Sequence, residues 1–255
     1  MNYYSVNFSV ILEIIAMNEN TDIIQQQRQK ILSLLKEKSV LKQDVFSNTI
    51  NVFNNFKDQS KTIANDLKNQ VSSIDKRVNI QYLEVNQFAY QLKIAGDVLE
   101  FFMHTNVFEL EKSSPLYKSP YIKQNPLNAY CGIIYVYNFM ADSFKFNRLN
   151  DIGILIARIF INKENHFFVE TKLPFATKYS NFSLEPLNIT TIKEIVNELI
   201  IFAIQFDLTT PPFDSVKEIT INEINERTSW ITLRTGKRLG FVSDSNNDDD
   251  FNFQL

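Results

Sequence analysis

Apolar residues between Ile24 and Val78 recur at steps of mostly three, four or seven: Ile24, Ile31, Leu34, Leu35, Leu41 and Val45, then Ile50, Phe53, Phe56, Ile63, Leu67, Val71, Ile74 and Val78. That spacing lays one buried stripe along an α-helix. Nothing interrupts it, because the first glycine is Gly96 and the first proline Pro115. These are the residues that end helices. The segment KEKSVLKQDVF is the weakest stretch, since Ser39 and Val40 are poorer helix formers. The pattern predicts one long helix or an antiparallel pair hinged near residues 38–44. A lone helix does not bury its stripe, so a partner is required. With Phe53, Phe56 and Ser60 along the seam the heptad is irregular, and the stripe fits packing on its own domain as well as pairing with a second copy. Upstream, Tyr4, Val6, Phe8, Val10 and Leu12 alternate as in a strand. This opening stretch has no basic flank or small-residue cleavage site and is broken by Glu13, so it reads as neither a leader nor a span. Met17 is an alternative start.

After residue 79 the period shortens to two. Phe88, Tyr90, Leu92 and Ile94 alternate, and Leu99, Phe101 and Met103 answer them across Ala95-Gly96-Asp97, which predicts a hairpin. EKSSPLYKSPYIKQNPLN, with three prolines and three serines, reads as a surface loop. A strand follows, with Ile133, Tyr135 and Tyr137 on one face and Ile134 and Val136 on the other. The run DIGILIARIFINKENHFFVE has two readings. Asp151 as N-cap and Lys163 at the far end favour a helix, with HFFVE as the next strand. The isoleucines instead suit a strand pair turning at Asn162-Lys163-Glu164-Asn165. We expect the helix. Thr190 or Thr191 caps a second helix, with Glu194 completing a capping box. WITLRTGKRLGFV predicts a last hairpin, and SDSNNDDDFNFQL an acidic tail. The sum is an α+β chain: a helical, coiled-coil-like region over 1–78, a mixed or antiparallel sheet domain with packed helices over 79–242, and a tail over 243–255.

Composition narrows the function classes. The 255 residues are 44% hydrophobic and 22% charged, enough to bury a core. With 26 basic and 29 acidic residues the net charge is -3, so no global field recruits nucleic acid or anionic lipid. The single cysteine, Cys131, excludes an intrachain disulfide and suits a reducing cytoplasm.

Candidate chemistry is sparse. A thiol–imidazole pair would have to come from Cys131, His104 and His166, and the context of Cys131 offers nothing to lower its pKa. Neither histidine has a short-spaced ligand partner, so no metal or cofactor is expected. Arg158, inside the apolar run, needs a carboxylate from Asp142, Asp151, Glu164 or Glu170. Together with His166 and Glu170 it is the candidate catalytic group on the sheet. Arg234, Lys237 and Arg238 flank the last hairpin turn beside Trp230 and Phe241, a small basic and aromatic cluster that suits phosphate or single-stranded nucleic acid. Three cations are few, and the neighbouring Asp248-Asp249-Asp250 opposes a phosphate backbone. No phosphate-loop, dinucleotide or nucleophile-elbow motif is present. The expectation is a cytoplasmic, non-catalytic interaction protein that binds a protein partner or itself, without membrane association.

Overall fold

The computed structural model describes residues 22–171, 177–183 and 185–228. The predicted strand at 4–12, the hairpin carrying Arg234, Lys237 and Arg238, and the acidic tail lie outside them. The chain divides into two compact units, Met1–Asp44 and Val45–Leu255.

The predicted helix is a single helical run rather than a hinged pair. It begins as α1 (22–34), passes through a π turn at Leu35–Ser39 and continues as α2 (Val40–Ser72). The weak KEKSV segment therefore widens the helix by one turn instead of breaking it. In the first unit Ile23, Ile24, Ile31, Leu32, Leu34, Leu35 and Val40 are all exposed.

The second unit is a seven-stranded antiparallel sheet with its two long helices packed on one face, so the chain is α+β. The strands are β1 (Ile80–Asn86), β2 (Ala89–Ile94), β3 (Asp97–Met103), β4 (Phe108–Glu109), β5 (Tyr130–Met140), β6 (Ile154–Asn162) and β7 (Phe167–Thr171). Their order is β1-β2-β3-β5-β6-β7, and β4 pairs with β5 beyond the end of β3. The hairpin of β2 and β3 turns where the alternation places it, with Ile94 opposite Asp97. Ala95 holds a left-handed φ of 53° in that turn. β1 has no counterpart in the expected elements.

From α2, Val45, Thr49, Val52, Phe53, Phe56, Ser60 and Ala64 are buried at helical spacing. Phe53 meets Tyr90 at 5.5 Å, Phe56 meets Phe101 at 6.3 Å, and Ser60 Oγ and the Tyr90 hydroxyl share a 2.9 Å hydrogen bond. Gly132 permits this closeness, because a Cβ there would lie 2.1 Å from Thr49 Oγ1. The helix α5 (Ile189–Gln205) adds Ile192, Ile195, Val196, Leu199 and Ala203 to the same core. Its cap is Asn188, whose side chain accepts from the Thr191 amide, not Thr190 or Thr191. Glu194 makes no capping box; it accepts from Lys178 Nζ at 2.5 Å and from the Tyr179 hydroxyl at 2.7 Å.

Two further expectations are corrected. Residues 154–162 are strand, not helix, so the run turns at 162–165 as the alternative had it. Asp151 is no cap. Its carboxylate accepts from Ser143 Oγ at 2.6 Å and lies 3.1 Å from the buried Arg148 Nε, a charge contact without hydrogen-bond alignment. The proline-rich loop is also more ordered than expected. Ser114, Ser119 and Asn125 each precede a proline and accept from an amide two or three residues on, starting a 3-10 turn (Pro115–Lys118), the short helix α3 (Pro120–Gln124) and a second 3-10 turn (Pro126–Ala129). Proline fixes φ at the first helical position, where its missing N–H costs nothing. The short helices α4 (Ala141–Lys145), α6 (Phe213–Val216) and α7 (Ile221–Thr228) complete the described elements. No helix among the described residues is long and apolar enough to cross a membrane.

Candidate functional site

The sheet face away from α2 and α5 carries a cavity of about 740 Å³. Registry builds its floor. Ile133 on β5 stands opposite Phe160 on β6, which stands opposite Phe168 on β7. The two phenylalanine rings stack at 4.3 Å with planes 8° apart, and Phe182 meets Phe168 edge-on at 5.0 Å. One row along, Tyr135, Arg158 and Glu170 are aligned in the same way. Period-two geometry sends Arg158 to this face while Ala157 and Ile159 enter the core. One wall comes from Phe108, Glu109 and Leu110 and from the capped turn with Leu116; Ser180 and Asn181 border the cavity as well.

The polar groups are partly committed. Arg158 Nε donates to Glu170 Oε2 at 2.7 Å, Nη2 contacts the same oxygen, and the guanidinium lies 5.3 Å from the Phe160 ring centre. The two side chains are 36% and 55% exposed, so water screens this pair and its net contribution to stability is at most about 1 kcal/mol. Of the four partners considered for Arg158, the structure gives Glu170. Glu109 accepts from the Tyr130 hydroxyl at 3.0 Å and, at a longer 3.4 Å, from that of Tyr117; Glu111 accepts from Ser113 Oγ at 3.1 Å. Neither carboxylate is paired with a cation among the described residues.

Compared with family models, curated proteins and solved structures, the chain matches none. The site therefore rests on its own geometry. Arg158 and Glu170 come together at the cavity, but His166 is not among its lining residues. Its ring stacks on Tyr121 at 5.3 Å and 6°, and its Nδ1 is buried without a hydrogen bond. His104 lies just past β3, where Nδ1 accepts from the Asn106 amide and the ring meets Phe108 edge-on at 4.7 Å. Cys131 lines the cavity but its residue is fully buried, and burial pushes its thiol well above the ordinary range. A thiolate nucleophile needs the reverse. No group of three or more metal-ligating side chains occurs among the described residues.

Sequence reasoning passed over Phe108, Glu109, Glu111 and Tyr135 as site residues. The short alternation in VFELE is the only signal for the first three, and Tyr135 was legible only as one face of a strand. A two-residue strand is too brief for such a pattern to stand out.

A second polar feature lies on the same face, on β3. Glu100 stands between Gln91 of β2 and Tyr137 of β5. Burial pushes its carboxyl up to about 7, partly offset by a hydrogen bond from Gln91. Glu100 Oε2 and Gln91 Oε1 are both buried without partners.

Proposed function

We propose that this is a non-catalytic recognition protein of the cytoplasm. The sheet unit takes a ligand in the cavity beside β5, β6 and β7, and the helical unit joins it to a second copy of the chain. The observation that carries the first part is the cavity itself. Its volume falls in the range of small-molecule sites, its floor is apolar and aromatic, and a few polar groups stand at its rim. Its one thiol is poorly suited to nucleophilic chemistry, because burial holds it protonated. A ligand-observed NMR screen tests the reading. Hits should shift the resonances of Tyr135, Phe160 and Phe168; hits confined to other surfaces would sink it.

The second part is favoured by the exposed residues of α1 and the π turn. Ile24, Ile31 and Leu35 follow one another by seven and four positions, flanked by Leu34 and Leu32, and all five are exposed. Such a stripe is costly to leave in water. Light scattering should give a dimer or larger for the native chain and a monomer for the double variant Ile24→Glu, Ile31→Glu. A monomeric native chain at all concentrations excludes self-assembly. The single cysteine, buried and unpaired, supports the cytoplasmic assignment.

A further inference from the structure

We propose that the helical unit docks on an anionic lipid surface, lying along it with the apolar stripe at the acyl boundary and its cations on the headgroups. Pairing of two copies would use the same stripe, and docking does not depend on it.

Charge is the first observation. Between Ile23 and Gln43 the helix carries Arg28, Lys30, Lys36, Lys38 and Lys42 against the single carboxylate of Glu37. Five cations and one acid give that stretch +4 in a chain whose total is -3, with Asp22 and Asp44 at its two ends. All five cations are exposed, and among the described residues none makes an ion pair or a side-chain hydrogen bond. The other polar positions of the stretch are glutamines and serines, which carry no charge. Nothing within the described helix therefore offsets the local field, although the whole chain is acidic.

Placement is the second. Residues three and four apart are neighbours on a helix, so Arg28 lies beside Ile24 and Ile31, and Lys30 beside Leu34. The cations thus edge the stripe, whose apolar members are 44% to 62% exposed. Across a pair of copies, like charges at such edges face one another and repel. At a lipid interface the same placement is favourable. Long Lys and Arg stems cover apolar surface while their heads reach the phosphates. A nucleic acid would meet the cations but leave the isoleucines and leucines in water. A neutral bilayer would take the stripe and gain nothing from the cations. An anionic bilayer surface meets both. The helix lies on that surface, since no described helix is long and apolar enough to cross.

Flotation of the full chain with vesicles at low salt tests the docking. Vesicles of phosphatidylcholine mixed with phosphatidylglycerol should bind at least about tenfold more tightly than phosphatidylcholine alone, because each engaged cation contributes about 1 kcal/mol. The preference should fall as salt is added. Replacing Arg28, Lys30, Lys36 and Lys38 together with glutamine, a good helix former, should remove most of it. Glu37→Lys should tighten binding to the anionic vesicles several-fold, a gain that loss of fold cannot mimic. Ile24→Glu with Ile31→Glu should abolish binding. Equal affinity for the two vesicles, or a preference unchanged in the glutamine variant, overturns the proposal. So does an oligonucleotide that binds the native chain as tightly as the anionic vesicles do, since charge alone would then suffice. Light scattering without vesicles reports the pairing separately: a monomeric chain that still floats with anionic vesicles sinks the pairing and upholds the docking.

Discussion

Replacing Glu100 with glutamine should stabilise the protein at alkaline pH and do little in acid. The carboxyl has an ordinary value of 4.5 and is pushed up to about 7 in the fold, chiefly by burial. The folded chain thus holds this proton more tightly than the unfolded chain. The resulting contribution is fully present below pH 4.5, declines as pH rises, and is lost above about 7, where an ionised Glu100 stands in a poorly solvated place. At 1.36 kcal/mol per pKa unit the full difference is about 3 kcal/mol, an upper figure because solvent reaches part of the side chain. Glutamine does not titrate, and its amide can also donate to the unpartnered Gln91 Oε1. Urea unfolding of the native chain and Glu100→Gln should therefore be run at about pH 5 and about pH 8.5. The stability of the variant relative to the native chain should rise by about 1–3 kcal/mol between the two, since every other titrating group is common to both proteins. A relative stability that stays flat across that range would refute the argument.

The remaining predictions concern packing, caps and the thiol. Gly132→Ala should cost about 1–3 kcal/mol in urea unfolding, because its methyl would meet Thr49 and force α2 away from β5. Asn188→Ala should cost about 1 kcal/mol and Thr191→Ala clearly less, as only the former holds the cap hydrogen bond. Ala95→Gly should stabilise by up to about 1 kcal/mol, relief of the left-handed φ exceeding the entropy glycine adds to the unfolded chain. Cys131 should react with a disulfide reagent only as fast as the fold opens; labelling at the rate of a free thiol would contradict its burial.

The helical region was legible because a breaker-free run at period 3.6 has few alternatives. Of the residues its spacing selects, Val45, Phe53 and Phe56 are buried and Ile50, Ile63 and Leu67 partly so. What the stripe packs on was not legible, since a core-facing helix and a dimer seam present the same apolar spacing. The stretch 151–162 failed for a related reason. β6 lies inside the sheet and is buried on both faces over most of its length, so the polar alternation that marks a half-exposed strand is missing. The charges at its ends then suggested helix termini. Asp151 instead serves the preceding turn, through Ser143 and Arg148. The cap of α5 repeats this lesson. Asn188, Thr190 and Thr191 all have cap chemistry, and Glu194 was taken by Lys178 and Tyr179, residues no local window contains.

Arg158 shows why local polarity is a poor guide to the site. In a helix, a guanidinium within an apolar run would be an anomaly demanding a special role. In a strand it is only the outward member of an alternating pair, and its register with Glu170 supplies its counter-ion without any ligand.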